Sequence, residues 1–308
     1  MANEFEIVSS DHIKNVNIVF NKVKYRSPHV HREFELIYQV SDQAEYRFGQ
    51  GSQTVCAGDF LIFNPNQLHE IISAHGSSFI ICLQIAPEFF EMFYPGIHHL
   101  EFETPYLSGL ELANISVPFL ELANSYLMQR PYYEFECTSL IQHIFHELLI
   151  SVPHHFTSLA EKKNNEEKAS RLERILDYAA NHYYEKINLA DLAAQENLTL
   201  NYLSRFIKQN LNRSFQDYIG ELRFNHAKYL ICNTRQNLID ICESCGYSDY
   251  RYLYQDFMAH VHCSPKDYRG SHSAEHAHLI QSSDSQEEIL TFDQALRLLG
   301  MSASQNQP

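Results

Sequence analysis

Short runs of alternating or continuous hydrophobic residues follow one another from residue 13 to about residue 85. Examples of these runs are EFELIYQV, DFLIFNP and SSFIICLQI, and the turns between the runs contain Gly49, Gly51, Gly58, Pro65 and Gly76. Short apolar runs bounded by glycine and proline are typical of β-strands. Many such strands at close spacing predict a small β-barrel or jelly roll in the first part of the chain.

The hydrophobic period changes to that of a helix between residues 110 and 151. Apolar residues recur at this spacing on both sides of Pro131, which predicts two antiparallel helices. The stripes of this helical hairpin contain Leu120, Leu127, Leu140, Ile144 and Leu148. We expect the hairpin to be a dimerisation element that pairs with a second copy of the chain, although the same stripes also suit a hairpin that caps the barrel.

Residues 152–170 are polar, charged and without a hydrophobic period, which predicts a flexible linker. Helical periodicity resumes at residue 171 and continues to residue 270. The tail at 271–308 is polar and contains one short amphipathic stretch, ILTFDQALRLLGM. The predicted fold is therefore α+β, with a barrel domain over residues 1–109, then the hairpin, the linker, an all-α domain and the tail.

The all-α domain contains a first helix-turn-helix unit. Leu192 and Ala193 form one apolar face, and the small side chain of Ala193 allows a second helix to cross closely. Thr199 is placed to cap that second helix, in which Leu203 and Phe206 point inward. The outer face of the second helix in such a unit enters the major groove of DNA.

A second unit repeats this architecture further along the chain. Gly246 ends its first helix, Asp249 or Ser248 caps its second helix, and Leu253 and Phe257 point inward. A single long helix with Ser214 as its N-cap connects the two units. Two units on one rigid helix are suited to successive major grooves on one face of a duplex.

Composition narrows the class of protein. The 308 residues are 44% hydrophobic and 20% charged, which excludes a fibrous or wholly disordered protein. We expect a cytoplasmic protein with no membrane partner, because no apolar run reaches about eighteen residues and the N-terminus lacks a signal peptide. The seven scattered cysteines are expected to be free thiols. The net charge of -15 disfavours nucleic acid, yet residues 171–270 hold 12 basic and 12 acidic residues, which permits one basic face.

Several motifs between residues 189 and 269 occur together in a fixed order. They are Leu189-x-x-Leu192-Ala193, Leu203-Ser204-Arg205-x-Ile207-Lys208, Ser214-Phe215-x-x-Tyr218-Ile219, Gly246-Tyr247-Ser248-Asp249 and Ser264-Pro265-x-x-Tyr268-Arg269. In this combination the chain resembles the AraC/XylS family of bacterial transcription regulators. The resemblance implies a regulator, not an enzyme, that controls an operon for carbohydrate or other small-molecule metabolism. The implied partners are double-stranded promoter DNA, RNA polymerase, a small-molecule effector such as a sugar, and a second copy of the chain.

The resemblance also assigns DNA-binding residues position by position. They are Asn201, Ser204, Arg205 and Lys208 in the first unit, and Tyr250, Arg251, Tyr254 and Gln255 in the second. Arg205 is suited to a bidentate contact with guanine and Asn201 to adenine, whereas Lys208 would hold a phosphate. The family commonly has basic residues after Phe257 and an arginine where Gln255 stands. We therefore expect the second unit to attract phosphates less than the first.

Two segments of the predicted barrel resemble the signature segments of the cupin superfamily, whose barrel is the usual sensory domain of sugar-responsive AraC-type regulators. They are PHVHREFE at 28–35 and GDFLIFNPNQLH at 58–69. His29, His31 and Glu35 are all odd-numbered, which would place them on one face of an extended strand. His69 from a second strand end completes a set of three histidines and one glutamate. This set suits a divalent transition metal that keeps open positions for a ligand.

Three interpretations of this group remain open. The four side chains would hold a metal, would bind a small effector by hydrogen bonds in a metal-free pocket, or would bind one another. In the last two cases no cofactor is required. Tyr46 and Phe48 share a face and would either stack on a sugar or pack in the core. The alternative function is a cupin-type metalloenzyme whose helical domain binds a protein partner.

Cys242 and Cys245 form a C-x-x-C pair, which is a redox or metal motif in some proteins. A reactive thiolate needs an exposed, electropositive setting, and the predicted helix around these residues does not provide one. We therefore favour the interpretation that both cysteines act as small hydrophobic residues in the core.

Overall fold

A computed structural model describes residues 13–49, 51–74, 76–103, 106–107, 113–272 and 285–300. The strands are β1 (Val16–His29), β2 (Phe34–Gln39), β3 (Gln43–Phe48), β4 (Gly51–Cys56), β5 (Phe60–Phe63), β6 (His69–Ser73), β7 (Ser78–Ile85), β8 (Leu100–Phe102), β9 (Tyr106–Leu107), β10 (His154–Phe156) and β11 (Gln286–Ile289). The helices are α1 (Ala113–Met128), α2 (Tyr133–Ser151), α3 (Leu159–His182), α4 (Leu189–Gln195), α5 (Leu200–Leu211), α6 (Phe215–Asn233), α7 (Leu238–Ser244), α8 (Tyr250–His260), α9 (Pro265–His272) and α10 (Phe292–Leu298). Within these ranges, no helix is both long and apolar enough to cross a membrane.

The first strands form an antiparallel sheet in the order β4-β3-β6-β1-β7-β2-β5-β9. This sheet curls into a near-closed, cupin-like barrel, which confirms the predicted α+β fold class. The long strand β1 pairs with β7 through Val16–Val23 and with β6 through Tyr25–His29. We call the strands β1 to β9, together with α1 and α2, the barrel domain, and α3 to α9 the helical domain.

The two faces of the sheet are buried in different cores. Ile37 and Ile80 are fully buried in the core inside the barrel. The outer face packs against α1 and α2, as in a sheet covered by a helical layer. Leu127, Ile144 and Leu148 of the predicted dimer stripe lie in this outer core and are at most 5% exposed. Most of that stripe therefore caps the barrel and is not available to a second copy.

A helix occupies most of the segment predicted to be a flexible linker. α3 begins after Ser158, whose hydroxyl accepts a hydrogen bond from the amide of Glu161, and the Glu161 carboxylate accepts one from the amide of Ser158. The prediction fails from residue 159 onward because the first turns of α3 are exposed and therefore lack an apolar period. The helix is anchored further on, where Ala169 and Leu172 are buried.

The helical domain has two cores that share α6. Leu222 lies in the core formed with α3, α4 and α5, and Phe224 lies in the core formed with α7, α8 and α9. Gly246, between α7 and α8, has a φ of +78°, and a Cβ there would lie 2.6 Å from the carbonyl oxygen of Tyr184. Only glycine permits this close approach, which seats the second unit against the end of α3.

The described part of the C-terminal tail returns to the barrel domain. β11 pairs antiparallel with β1 over residues 21–25, and α10 packs against α1, where the Phe292 ring centroid lies 5.6 Å from that of Tyr126. β7 pairs with one edge of β1. On the opposite edge, β6 pairs with the C-terminal part of β1, and β11 pairs with the part before it. The predicted tail also includes residues 273–284 and 301–308, which lie outside the described residues.

Candidate functional site

Four side chains meet at one end of the barrel, and we call them the histidine cluster: His29, His31, Glu35 and His69. One potential ligand atom from each lies within 4.8 Å of the others. Nε2 of His69 lies 2.9 Å, and Nε2 of His31 lies 3.1 Å, from Oε2 of Glu35. The chain brings these residues together in a different way from the one predicted, because β1 ends at His29 and β2 begins after a turn that contains His31. The group therefore comes from four places, which are the end of β1, the turn after it, β2 and the start of β6, and not from one extended strand and a strand end.

Backbone carbonyl groups orient all three imidazoles. Each Nδ1 lies within hydrogen-bond distance of a backbone carbonyl oxygen: that of Ser27 for His29 (2.8 Å), that of Gln67 for His69 (3.0 Å) and that of Glu33 for His31 (3.1 Å). A carbonyl oxygen only accepts, so each Nδ1 carries hydrogen and each neutral ring has its lone pair on Nε2. Two of these lone pairs, on His31 and His69, face the Glu35 carboxylate. Only a proton or a cation between these atoms makes the contact favourable.

Burial and the Glu35 charge shift the pKa values in opposite directions. Burial lowers the pKa of His29 well below its usual range, and the charges of His69 and Arg26 lower it further. Burial also lowers the pKa of His69, partly offset by the hydrogen bond to Glu35. Burial opposes charge on His31, but attraction to Glu35 outweighs it and raises the His31 pKa. Although burial favours a protonated Glu35, His31 and His69 hold its pKa well below the usual range. The cluster is thus an anionic carboxylate among imidazoles.

Three members of the histidine cluster, His29, His31 and Glu35, lie in the wall of a cavity of about 870 Å³, and His69 is buried behind them. Asn17 donates a hydrogen bond to Gln84 (3.0 Å), which in turn donates to Oε1 of Glu35 (2.9 Å). Asn21 also lines the cavity, is 3% exposed, and its Oδ1 has no hydrogen-bond partner among the described residues. The wall also includes three residues of α3: Ala169, Ser170 and Glu173. The cavity therefore lies between the barrel and helical domains.

Tyr46, predicted to contact the effector, lies elsewhere. It is fully buried inside the barrel, its hydroxyl donates a hydrogen bond to Oε1 of Gln39 (2.9 Å), and it is not part of the cavity wall. Core packing, the alternative interpretation, describes its position. Sequence reasoning missed Asn17, Asn21 and Gln84. The signal that would have identified them is a polar residue inside an otherwise apolar strand, because a buried amide needs a partner.

A second group with metal-ligand spacing lies on the exposed side of α2. Its members are His143, His146 and Glu147, whose ligand atoms lie within 4.8 Å of one another. Both histidines are exposed, and the Glu147 carboxylate accepts a hydrogen bond from Asn114 (3.1 Å). This group was not predicted from the sequence, although the spacing of i, i+3 and i+4 on a helix would have indicated it.

The first recognition helix, α5, presents its predicted contacts to solvent. Asn201, Ser204, Arg205 and Lys208 are all exposed. Leu203 and Phe206 on the opposite face are at most 5% exposed, which orients the helix against α4 and α6. The Thr199 hydroxyl accepts a hydrogen bond from the amide of Tyr202 (3.3 Å) and so caps the helix, as predicted.

The second recognition helix, α8, is built in the same way. Asp249 caps it by accepting a hydrogen bond from the amide of Arg251 (2.7 Å), and Leu253 and Phe257 are fully buried. The outer residues Arg251, Tyr254 and Gln255 are exposed, and Tyr250 is half-buried. Arg251 is the sole cation among the predicted contacts of α8, whereas α5 carries two.

The histidine cluster and the helical domain are joined through β6. His69 faces the cluster, and the next residue, Glu70, faces the helical domain. The Glu70 carboxylate accepts two hydrogen bonds from Arg213 (2.9 and 3.0 Å) and one from the hydroxyl of Tyr25 (2.8 Å). The side chains of Glu70 and Arg213 are 4% and 9% exposed, and Nε of Arg213 lies 3.0 Å from Glu221. A buried ion pair next to the cluster therefore anchors the start of α6.

The C-x-x-C pair lies within the second core of the helical domain. Cys242 and Cys245 are both buried, and burial raises the pKa of Cys245 to about 12. A thiol with so high a pKa is protonated at neutral pH and is a poor nucleophile. This position agrees with the interpretation of the pair as small hydrophobic residues.

Comparisons with known proteins agree with this architecture. Residues 20–174 match the family described as AraC-like ligand binding domain, and residues 192–271 match a family described as helix-turn-helix domain. The chain is 23% identical over 255 residues to the uncharacterized HTH-type transcriptional regulator YdeC of Bacillus subtilis, covering 80% of this chain and 86% of YdeC. It is 32% identical over 108 residues to the HTH-type transcriptional activator RhaS of Escherichia coli, covering 35% of this chain and 39% of RhaS.

Among solved structures, the C-terminal domain of the two-component response regulator yesN from Fusobacterium nucleatum is 30% identical to the chain. That similarity covers 32% of this chain and 98% of the solved domain, with a TM-score of 0.31. The ligand-binding family alone spans about half of the 308 residues, and the helix-turn-helix family follows it in order. The resemblance found in the sequence motifs is confirmed: the chain belongs to the AraC family of ligand-responsive transcriptional regulators.

Proposed function

We propose that this regulator senses a small polar molecule in the cavity at the histidine cluster and that a divalent transition metal holds the molecule there. The observation that carries the proposal is the pair of Nε2 atoms, of His31 and His69, that face the Glu35 carboxylate. Three imidazole nitrogens and one carboxylate fit a divalent transition metal and leave coordination positions open, and a metal bound there would replace Arg26 as the partner of Nε2 of His29. The metal would supply a Lewis acid that binds an oxygen of the effector. DNA binding by the helical domain requires no cofactor.

The polar side chains in the cavity wall support an effector rich in hydroxyl groups, such as a sugar. Side-chain amides offer both donors and acceptors, which is what paired hydroxyls need. Asn21 supplies a buried acceptor that no described residue satisfies. We therefore propose that the regulated operon serves carbohydrate or other small-molecule metabolism.

The exposed faces of α5 and α8 support sequence-specific binding to double-stranded promoter DNA. We propose that this binding takes place in the cytoplasm and that the bound regulator acts on RNA polymerase at the promoter. Arg205 is placed to contact a guanine edge, and Lys208 to contact a phosphate. Arg251 supplies the corresponding charge on α8.

We infer that the regulator acts as a homodimer, which would present two helical domains to adjacent sites. The stripe predicted for this purpose is largely buried, but α1 and α2 expose three other large apolar side chains. They are Val117 (59% exposed), Phe135 (77%) and Ile150 (69%). A second copy that packs on the hairpin would remove these apolar side chains from water.

The proposed function is tested by titrating Zn²⁺, Mn²⁺ and Ni²⁺, and then a panel of sugars, into the full chain by calorimetry. The variant His31→Ala with His69→Ala should lose one metal site and the sugar binding that depends on it. The matched control, His143→Ala with His146→Ala, removes two histidines from the exposed group and should retain both. Sugar binding unchanged in the first variant would disprove the site, and metal-dependent turnover of the sugar would favour the metalloenzyme alternative.

A further inference from the structure

The helical domain is attached to the barrel domain at both of its ends. On the N-terminal side, β10 pairs with β8, and the amide of Thr157 donates a hydrogen bond to the carbonyl oxygen of His99 (2.7 Å). On the C-terminal side, β11 and α10 lie on β1 and α1. The chain thus leaves the barrel, forms the recognition helices and comes back, so the second attachment restricts where the helical domain can move.

The returning segment is packed as part of the barrel domain. Leu290, Ala295 and Leu296 are at most 6% exposed and lie in the outer core of the barrel with α1 and α2. The amide of Leu290 donates a hydrogen bond to the carbonyl oxygen of Phe20 (2.8 Å), directly after the pairing of β11 with β1. Apolar burial and strand pairing therefore act together to hold this segment.

Arg26 connects this segment to the histidine cluster. Its Nη1 lies 2.8 Å from Oε2 of Glu287 on β11, and its Nε donates a hydrogen bond to Nε2 of His29 (3.0 Å). Next to it, the amide of Ser27 donates to the hydroxyl oxygen of Ser285 (3.0 Å). The His29 lone pair on Nε2 is thus used by Arg26, and it can serve only one partner at a time.

We propose that residues 285–300 form a clasp that holds the helical domain against the barrel, and that Arg26 makes this clasp sensitive to the state of His29. A guanidinium held by His29 is oriented towards Glu287. When another partner takes Nε2 of His29, Arg26 loses that contact and the ion pair with Glu287 weakens. Opening of the clasp removes one of the two attachments of the helical domain and so lowers the effective concentration at which Arg213 meets Glu70. The proposal rests on the proposed function at one point, because the partner that takes Nε2 of His29 is the metal of the histidine cluster.

Hydrogen–deuterium exchange on the full chain tests the first part. In Glu287→Gln, the amides of residues 286–290 should exchange about tenfold faster than in the wild type, because a charge-assisted hydrogen bond is lost. His29→Ala should also accelerate their exchange. The matched control is His31→Ala, which removes another cluster histidine but leaves Arg26 its acceptor, and it should not change exchange in this segment. Arg26→Lys should resemble His29→Ala. It keeps the charge but offers one nitrogen in place of the two, Nε and Nη1, that contact His29 and Glu287.

The second part is tested with a variant that releases the clasp. Ala295→Glu places a charge in the outer core and should increase exchange in β6 and in residues 212–216, where the helical domain is anchored. Leu298→Glu changes the exposed side of the same helix, at 45% exposure, and should leave exchange there unchanged. Equal effects of His29→Ala and His31→Ala would overturn the role of Arg26. Unchanged exchange at residues 212–216 in Ala295→Glu would overturn the clasp itself.

Discussion

His69 and Glu70 are consecutive residues of β6 that serve the two domains of the protein: His69 contacts Glu35 in the histidine cluster, and Glu70 binds Arg213 of the helical domain. Successive side chains of a strand point to opposite faces, so a shift of β6 that moves one of them also moves the other. An effector that shifts His69 would therefore also shift Glu70 and change its ion pair with Arg213, because the two residues are adjacent in the same strand.

The ion pair of Glu70 with Arg213 is expected to be the strongest single polar contact between the domains. Glu70→Gln should destabilise the chain by about 3 kcal/mol in urea unfolding, because it leaves a buried guanidinium without its main partner. Glu45→Gln is the matched control, since Glu45 pairs with Arg47 in a half-exposed contact that is worth about 1 kcal/mol or less. Similar losses in both variants would contradict a special role of the buried pair.

Lys228 on α6 should make stability depend on pH. Burial and the nearby charge of Lys24 lower its pKa from the ordinary 10.5 to about 8. The unfolded chain therefore binds this proton at a higher pH than the folded chain. The contribution of Lys228 to stability is most favourable above pH 10.5 and falls as the pH drops to 8. Lys228→Met should abolish this part of the pH dependence and stabilise the protein at pH 7 by more than about 1 kcal/mol.

Denaturation of wild type and variant across this pH range measures the effect of Lys228 as a difference between the two proteins. Lys208→Met, which changes an exposed lysine of α5, serves as the control and should leave the curve parallel to that of the wild type. A parallel curve for Lys228→Met as well would refute the assignment.

Two glycines of the helical domain should respond oppositely to alanine. Gly246→Ala places a Cβ against the backbone of Tyr184 at a positive φ, and should cost more than about 2 kcal/mol of stability. Gly220 lies within α6, and a Cβ there would meet open space, so Gly220→Ala should stabilise by up to about 1 kcal/mol. Urea unfolding monitored by circular dichroism compares them, and a loss in both would show that the helical domain rejects any added methyl group.

The two recognition helices should differ in the salt dependence of DNA binding. Arg205→Ala should cost about 1 to 3 kcal/mol and relax base preference at one position, whereas Lys208→Ala should weaken binding to all sequences about equally. Because the slope of log K against log salt counts neutralised phosphates, Arg251→Ala should reduce it less than the two α5 changes combined. Binding to promoter DNA selected by the full chain provides the measurement. A larger reduction for Arg251→Ala would reverse the proposed asymmetry.

Charge on the exposed face of the hairpin should separate the proposed dimer. Phe135→Glu with Ile150→Glu should give a folded monomer in sedimentation velocity experiments, because a buried carboxylate opposes association. Met92→Glu, at a side chain that is 95% exposed outside the hairpin, is the control and should remain dimeric. A wild-type chain that sediments as a monomer at micromolar concentration, with and without the effector, would disprove the dimer.

Features set by neighbours along the chain could be predicted from the sequence. The caps at Thr199, Ser214 and Asp249 depend on hydrogen bonds that span two or three residues, and all three are present. The inward face of α5 follows from helical spacing alone. The histidines and glutamate of the cluster were also identified, although a turn and not an extended strand brings His31 to His29.

Features set by distant contacts could not be predicted in this way. Glu287 belongs to a polar segment, and its contacts with β1, which include the ion pair with Arg26, come from residues far away in sequence. Tyr46 illustrates the same difficulty, since its parity is compatible with both the cavity and the core, and the contact with Gln39 decides between them. The first turns of α3 are a further example. They have no apolar pattern of their own, and they are helical because they continue into the second half of α3, which is buried against other elements.

The return of β11 to β1 has a consequence for synthesis on the ribosome. The barrel strands β1 to β9 emerge first, but one stretch of the β1 edge gains its partner only after residue 289 has left the exit tunnel. Until then, the nascent barrel presents unpaired backbone groups at that edge, which is a template for pairing with another chain. The barrel domain is therefore complete only when β11, near the end of the chain, has been synthesised. A chain whose translation stops within the recognition helices is left with an open barrel that is prone to association.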